Sequence, residues 1–280
     1  APVTRIAVFY KEDGSADTYF IPAELPVHTF IDTQIIAESP DEYFWAGIGD
    51  AFSKGPEVEL SSREVELLHS PLMGRALAAG ACIEPLFDNA EQALADKRSG
   101  VVSEAFENVV LNIIVTAGIV SNMTTNLGAE RGAYYFNSST AHAFYNAFTA
   151  LGERGEKHLH GEVVSFGTCV LYAFDGNLKA LEEQVALNRK LGLPTTLADL
   201  DITPESVDAD LDIIVERAQK TNEWGRAPYG FTTDRFRQAI LDTDAYGRAV
   251  AAGEKDLEAA ALDVITAHAP SAETAVPRKM

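Results

Sequence analysis

From Ser39 almost to the C-terminus, apolar side chains recur at steps of three and four residues. This helical period constrains the fold more than any other feature of the chain. The segments 102–123, 139–151, 161–192, 233–250 and 254–267 all carry it. A chain patterned in this way must bury apolar stripes against neighbouring helices, so its body is expected to be a helical bundle. Local start signals agree. Ser39, Pro40 and Glu42 read as a capping box with proline at the first helical position, opening "SPDEYFWAGIGDAFSK". Ser61 with Glu64 repeats the device before a segment running towards Cys82, and Thr203 with Pro204 repeats it before "ESVDADLDIIVERAQK".

The first 35 or so residues are patterned differently. "TRIAVFY" and "DTYFI" are short β-rich runs joined by "KEDGSA", a hairpin signal, and "HTFID" is a third strand candidate. Two or three short strands have too little partner surface to stand alone, and their open edges call for a larger sheet. The sequence therefore reads as beginning inside a domain. It carries no internal repeat, and "APSAETAVPRKM" at 269–280 reads as a frayed tail.

Composition excludes several function classes. With 22 Lys and Arg against 42 Asp and Glu, the formal charge is −20. That disfavours nucleic acid or an anionic membrane surface as principal partner. The richest apolar run, "VVLNIIVTAGIV" at 109–120, is interrupted by Asn112 and Thr116 and reads as a buried helix rather than a membrane span. "APVTRIAVFY" has no signal-peptide pattern. Cys82 and Cys169 lie in apolar contexts without metal-type spacing, so a reducing, cytoplasmic setting is expected. The tripeptides at Asn122 and Asn137 fit a glycosylation pattern that is common by chance.

Chemistry-bearing side chains stand out where helix periodicity asks for apolar ones. "EKHLHGEVVSFGT" holds His158 and His160 just before Val163, Val164, Phe166, Gly167, Val170 and Leu171, which recur at helical spacing. On a helix, residues two apart point to different sides, so only one of the two histidines can serve a site, with partners from elsewhere. His142 lies among Ala141, Ala143, Phe144, Ala147 and Phe148; Asp50 sits in "FWAGIGDAF", where Gly47 and Gly49 would allow a close backbone approach. Taken singly, each reads more readily as a satisfied core histidine or a capping carboxylate. Together, Asp50, His142 and either His158 or His160 make a three-ligand set for Zn(II) or Fe(II), with a coordination position left for substrate.

"GIGDAF", "AHAFYNAFTAL" and "HLHGEVVSFGT", in that order, resemble the metal-binding segments of the iron-containing (group III) alcohol dehydrogenase family, and most closely its glycerol dehydrogenase branch. The resemblance extends from about residue 1 to about 250. It implies metal ligands Asp50, His142 and His160, and leaves His158 either behind the ligands or at the surface. Some relatives carry a further histidine four residues after the aspartate. Lys54 stands there in this chain, so zinc is expected over iron.

The fold implied is mainly α: a multi-helix metal-binding domain at 39–268, preceded at 1–38 by a β-rich remnant of an α/β nucleotide-binding domain. The family's glycine-rich phosphate loop is not found, because "AGIGD" lies within a helical segment. By position, Thr4, Ile6 and Tyr10 resemble residues that approach the NAD(P) cofactor. Activity would then need the missing N-terminal nucleotide-binding domain, and the chain alone is expected to be inactive. The activity implied is NAD(P)-linked oxidation of an alcohol or polyol such as glycerol, with Phe136 and Asn137 in "ERGAYYFNSST" on a pocket wall. A homo-oligomer is left open. Among rivals, a dehydroquinate synthase-like cyclase would want a basic cluster that this chain lacks, and an iron oxygenase would want a β scaffold. A non-catalytic, metal-stabilised helical module remains a reading for the chain by itself.

Overall fold

The computed structural model describes residues 3–4, 6–12, 16–20, 26–126 and 133–253. The hairpin forms as its turn signal predicts: β1 (Ile6–Tyr10) pairs antiparallel with β2 (Ala16–Phe20), Ile6 opposite Phe20 and Tyr10 opposite Ala16. The third strand does not form. His28 to Asp32 is irregular, and the Asp32 carboxylate instead caps α1 (Thr33–Glu38), accepting from the backbone N–H of Gln34 at 3.0 Å.

Helix α2 (Asp41–Ser62) is the longest in the chain among the described residues, and its start differs from the predicted capping box. The Ser39 hydroxyl turns back to donate to the Ile36 carbonyl, closing α1, and Pro40 becomes the N-cap. Asp41 and Glu42 in the first turn complement the positive end of the helix dipole. Nor does a new helix begin at Ser61. Its hydroxyl donates to the Phe136 carbonyl at 2.8 Å, α2 runs past it, and Glu64 takes a left-handed φ of 62° before α3 (Ser70–Ala79).

After α4 (Glu84–Arg98), Ser103 caps α5 (Glu104–Leu111). A π-helical turn over Asn112–Thr116 links α5 to α6 (Ala117–Met123). Against expectation, the stretch Glu104–Met123 is long and apolar enough to span a membrane by length and composition, with 44% of its most apolar window buried. Asn112 at its centre is enclosed and donates to the carbonyls of Ala81 and Cys82, so one face packs on the α3–α4 turn.

A short pair, β3 (Thr125–Asn126) with β4 (Tyr134–Tyr135), leads into α7 (Thr140–Phe148) and α8 (Glu153–Lys157). The period read across 161–192 breaks into α9 (His160–Asp175) and α10 (Leu178–Leu191), because Gly176 takes φ 71° and Asn177 caps the next helix. Helix α11 (Val207–Ala218) starts one turn after the Thr203 signal, and α12 (Thr233–Ala252) follows the Thr232 cap. The helix expected at 254–267 and the tail at 269–280 lie outside the described residues.

Two large apolar cores and a small cluster of Val58, Ala78, Cys82 and Val120 meet along α2. One gathers Phe44, Ile48 and Phe52 with Leu86, Leu94 and Phe106; the other gathers Phe144, Phe148, Phe166, Phe174, Phe236 and Ile240 around α9. Each fully buried side chain of this size contributes about 1.5–3 kcal/mol. Helix α9 is the hub, packed on α2, α7, α10 and α12. Its crossing with α2 needs glycine on both sides. A Cβ on Gly161 would lie 1.7 Å from the Ala46 carbonyl oxygen, and one on Gly49 would lie 2.4 Å from that of Gly161. This contact sets Asp50, beside Gly49, against His160, beside Gly161.

Candidate metal centre

Three elements deliver three donor atoms to one point. Asp50 comes from the middle of α2, His142 from the first turn of α7 and His160 from the first position of α9. One potential ligand atom from each lies within 4.8 Å of the others. Asp50 Oδ1 stands 3.1 Å from His160 Nε2 and 3.5 Å from His142 Nε2. The two imidazoles are 5.3 Å apart, centroid to centroid, and the Tyr145 and His160 rings meet edge to face with their centroids 4.1 Å apart. All three side chains are partly open to a cavity of about 250 Å³.

Sequence inspection missed Glu57. It is fully buried, and its Oε2 faces His142 Nδ1 at 2.6 Å. Its Oε1 accepts the backbone N–H groups of Ser139 and His142 at 2.8 and 2.9 Å. The signal was present: residues 50, 54 and 57 are spaced i, i+4, i+7, so Asp50, Lys54 and Glu57 form one charged stripe on an otherwise apolar helix. Lys54, in the position where some relatives have histidine, is also buried. Its ammonium donates to the carbonyl oxygen and Oδ1 of Asn137 at 3.1 and 2.8 Å.

The electrostatics follow from this crowding. Burial works to raise the Asp50 pKa, but the charges of His160 and His142 and the His160 hydrogen bond outweigh it and hold the carboxylate well below its usual range. Burial likewise opposes ionisation of Glu57, and His142, Lys54 and the Ser139 N–H again prevail, lowering its pKa. For His142, burial disfavours the imidazolium, yet Glu57 and Asp50 raise the pKa above the ordinary 6.5. Glu57 at Nδ1 favours the tautomer whose Nε2 keeps a free lone pair, the arrangement by which carboxylates orient metal-binding histidines.

Other expected residues fall as follows. His158 supplies no atom to the donor set: its side chain is 7% exposed, and it bonds Glu162 at 2.9 Å and Asp201 at 3.2 Å, pinning the start of α9. Thr4 and Asn137 line the same cavity as the three donors, whereas Phe136 stacks on Tyr134 outside it. Ile6 and Tyr10 lie on β1, their side chains outside the described residues. Tyr135 and Ser138, from the stretch read as a pocket wall, also line the cavity, whereas Ser121, Asn146 and Glu223 escaped sequence inspection.

No protein-family model matches the chain. It is 32% identical over 253 residues to a glycerol dehydrogenase of Escherichia coli O6:H1, covering 89% of this chain and 65% of that protein. It therefore spans just under two thirds of that relative's length. The glycerol dehydrogenase of Schizosaccharomyces pombe superposes with a TM-score of 0.78 at 28% identity, over 91% of this chain and 64% of that one. An iron-containing alcohol dehydrogenase from Thermotoga maritima shares the fold, with a TM-score of 0.56 at 19% identity over 86% and 60% of the two chains. With its helical domain matched in sequence and in backbone, this chain belongs to the iron-containing alcohol dehydrogenase family, on its glycerol dehydrogenase-like branch.

Proposed function

We propose that Asp50, His142 and His160 hold one divalent metal ion, zinc rather than iron, and that the chain is the metal-holding part of an NAD(P)-dependent oxidoreductase acting on the CH–OH group of an alcohol or polyol such as glycerol. The observation that carries this reading is the convergence of one carboxylate oxygen and two imidazole nitrogens within 4.8 Å, from three separate helices. Two histidines and a carboxylate suit zinc, and three protein ligands leave a position for substrate.

Charge supports the same reading. The cavity is lined by Asp50 and Glu223 and by Lys54, with Glu57 immediately behind His142. Three carboxylates against one ammonium leave two negative charges in a confined space, which a dication would balance. When bound, such an ion supplies Lewis-acid stabilisation of negative charge on the alcohol oxygen, and NAD(P) supplies the two-electron acceptor. The protein's own side chains do the positioning. Glu57 keeps the His142 proton on Nδ1, Tyr145 limits rotation of the His160 ring, and Asn137 ties down Lys54.

In this reading residues 1–38 belong to the nucleotide-binding domain, the metal-binding domain begins at residue 39, and Thr4 borders the cavity from the cofactor side. The two cysteines are buried and unpaired, which suits a reducing, cytoplasmic setting. Metal content by mass spectrometry tests the centre. One zinc per chain is expected, falling sharply in Asp50→Ala, His142→Ala and His160→Ala; full occupancy in all three variants would overturn the assignment.

A further inference from the structure

Glu223 lies in the turn that follows α11, is 4% exposed, and lines the cavity that also contains Asp50, His142 and His160. Its partners are all neutral. Oε1 accepts from the Tyr135 and Ser138 hydroxyls, each at 3.0 Å, and Oε2 accepts from Asn146 Nδ2 at 3.2 Å. Among the described residues no Lys, Arg or His pairs with it within 4.0 Å. Burial and the adjacent Glu223 charge together push the Tyr135 phenol well above its ordinary value. A buried carboxylate without a counter-ion is costly to maintain, so its place in a ligand cavity calls for a reason.

Position supplies one. Asn146 and His142 are four residues apart on α7 and share a face, and both line the cavity, so Asn146 holds Glu223 on the side of that cavity one helical turn along from His142. The same cavity thus carries the metal-type donor set and, beside Asn146, an acceptor. An ionised carboxylate has about four acceptor positions and no proton to give. Tyr135, Ser138 and Asn146 occupy at most three of them. At least one remains for a hydroxyl donor.

We infer that Glu223 determines specificity: its carboxylate accepts a hydrogen bond from a second hydroxyl of the substrate and selects uncharged polyols over hydroxy acids. The inference rests on the reading of Asp50, His142 and His160 as the metal centre. Lys54 does not rescue a carboxylate-bearing substrate, because its ammonium is engaged by Asn137 and offsets Glu57. Asp50 and Glu223 are balanced by the dication, so a carboxylate ligand would bring net negative charge to a confined cavity beside Glu223. A hydroxyl in the same place brings none and satisfies the free acceptor position.

The test uses the chain loaded with Co(II), whose visible spectrum reports ligands entering the coordination sphere without any need for turnover. Wild type and Glu223→Gln are titrated with glycerol and with glycerate, which carries a carboxylate where glycerol carries a hydroxymethyl group. Wild type is expected to prefer glycerol by tenfold or more. In Glu223→Gln glycerol should weaken by roughly tenfold, the size of one hydrogen bond to a charged group, and glycerate should tighten. An unchanged preference in a variant that still holds one cobalt overturns the role of Glu223 and leaves the metal centre standing. No cobalt uptake by wild type overturns the metal reading and this inference with it. If Glu223→Gln does not fold, the wild-type titrations decide: glycerate binding as tightly as glycerol overturns the inference, and a glycerol preference that shrinks as salt is added supports it.

Discussion

Replacing Glu57 by glutamine keeps the shape of the side chain and removes its charge. The consequence for His142 can be followed atom by atom. The Glu57 Oε1 position receives two backbone N–H groups, from Ser139 and His142. In the variant only the amide oxygen can accept them, so the amide NH2 must turn towards His142 Nδ1, now at 2.6 Å from Oε2. An NH2 group only donates. Nδ1 must then present its lone pair, which moves the ring proton to Nε2, the nitrogen that faces Asp50. A protonated Nε2 has no lone pair for a metal.

Loading the variant therefore requires breaking the new hydrogen bond or turning the ring, and changes of this kind typically lower metal affinity 10- to 100-fold. That is about 1.4–2.8 kcal/mol, the same range as one hydrogen bond to a charged group. Competition for zinc against a chromogenic chelator measures the affinity, and the ring 15N shifts of His142 in the metal-free protein report its tautomer. The expected outcome is weaker zinc binding together with a proton on Nε2. A zinc affinity within twofold of wild type, with His142 still protonated on Nδ1, would refute the reasoning.

The crossing of α2 and α9 is equally exposed to test: in Gly161→Ala the new Cβ would meet backbone atoms of Ala46 at 1.7 and 2.6 Å, so the helices must separate. A loss of about 3 kcal/mol or more in urea denaturation is expected, with zinc uptake lost alongside, and an unchanged midpoint would contradict the close approach. Lys54→Met removes a buried ammonium that donates twice to Asn137, which should cost ~2–3 kcal/mol and lower the melting temperature by roughly 4–12 °C; a gain in stability would show that burying the charge outweighs its bonds. At acid pH the Arg154–Asp210 pair should be felt. Burial opposes ionisation of Asp210, but its bonds to Arg154 and Ser206 prevail and lower its pKa below the unfolded value near ~3.9. Its contribution is then present above that value and lost as pH falls through the folded-state pKa. Asp210→Asn should accordingly flatten the loss of stability below about pH 4, and an acid limb as steep as wild type would count against the pair.

Which features could be read from residues alone depends on whether their causes are local. Helical period is local, and α7, α9 and α12 lie where the apolar steps put them. The stop at Gly176 and the cap at Asn177 were equally local signals, masked by an apolar period that continues across them. Ser61 shows the limit of local reasoning. Its spacing to Glu64 matches a capping box, but its hydroxyl bonds Phe136, 75 residues away, and it lies in the last turn of α2 rather than at the start of a helix. "HTFID" has strand composition but, among the described residues, no strand beside it, and composition cannot provide one.

The candidate site divides along the same line. The charged stripe of Asp50, Lys54 and Glu57 is an anomaly on an apolar helix that periodicity alone exposes. Its meaning depends on residues more than 80 positions distant: Glu57 becomes a histidine-orienting group only because α7 brings His142 onto it, and Lys54 becomes a fixed charge only because Asn137 arrives with it. Glu223 gave no signal of any kind, since a glutamate in a polar turn reads as solvated until the fold closes Tyr135, Ser138 and Asn146 around it. A charge misplaced within a helix can thus be found without a structure, whereas a charge enclosed by a loop cannot, because burial is what makes it unusual and burial is a property of the assembled chain.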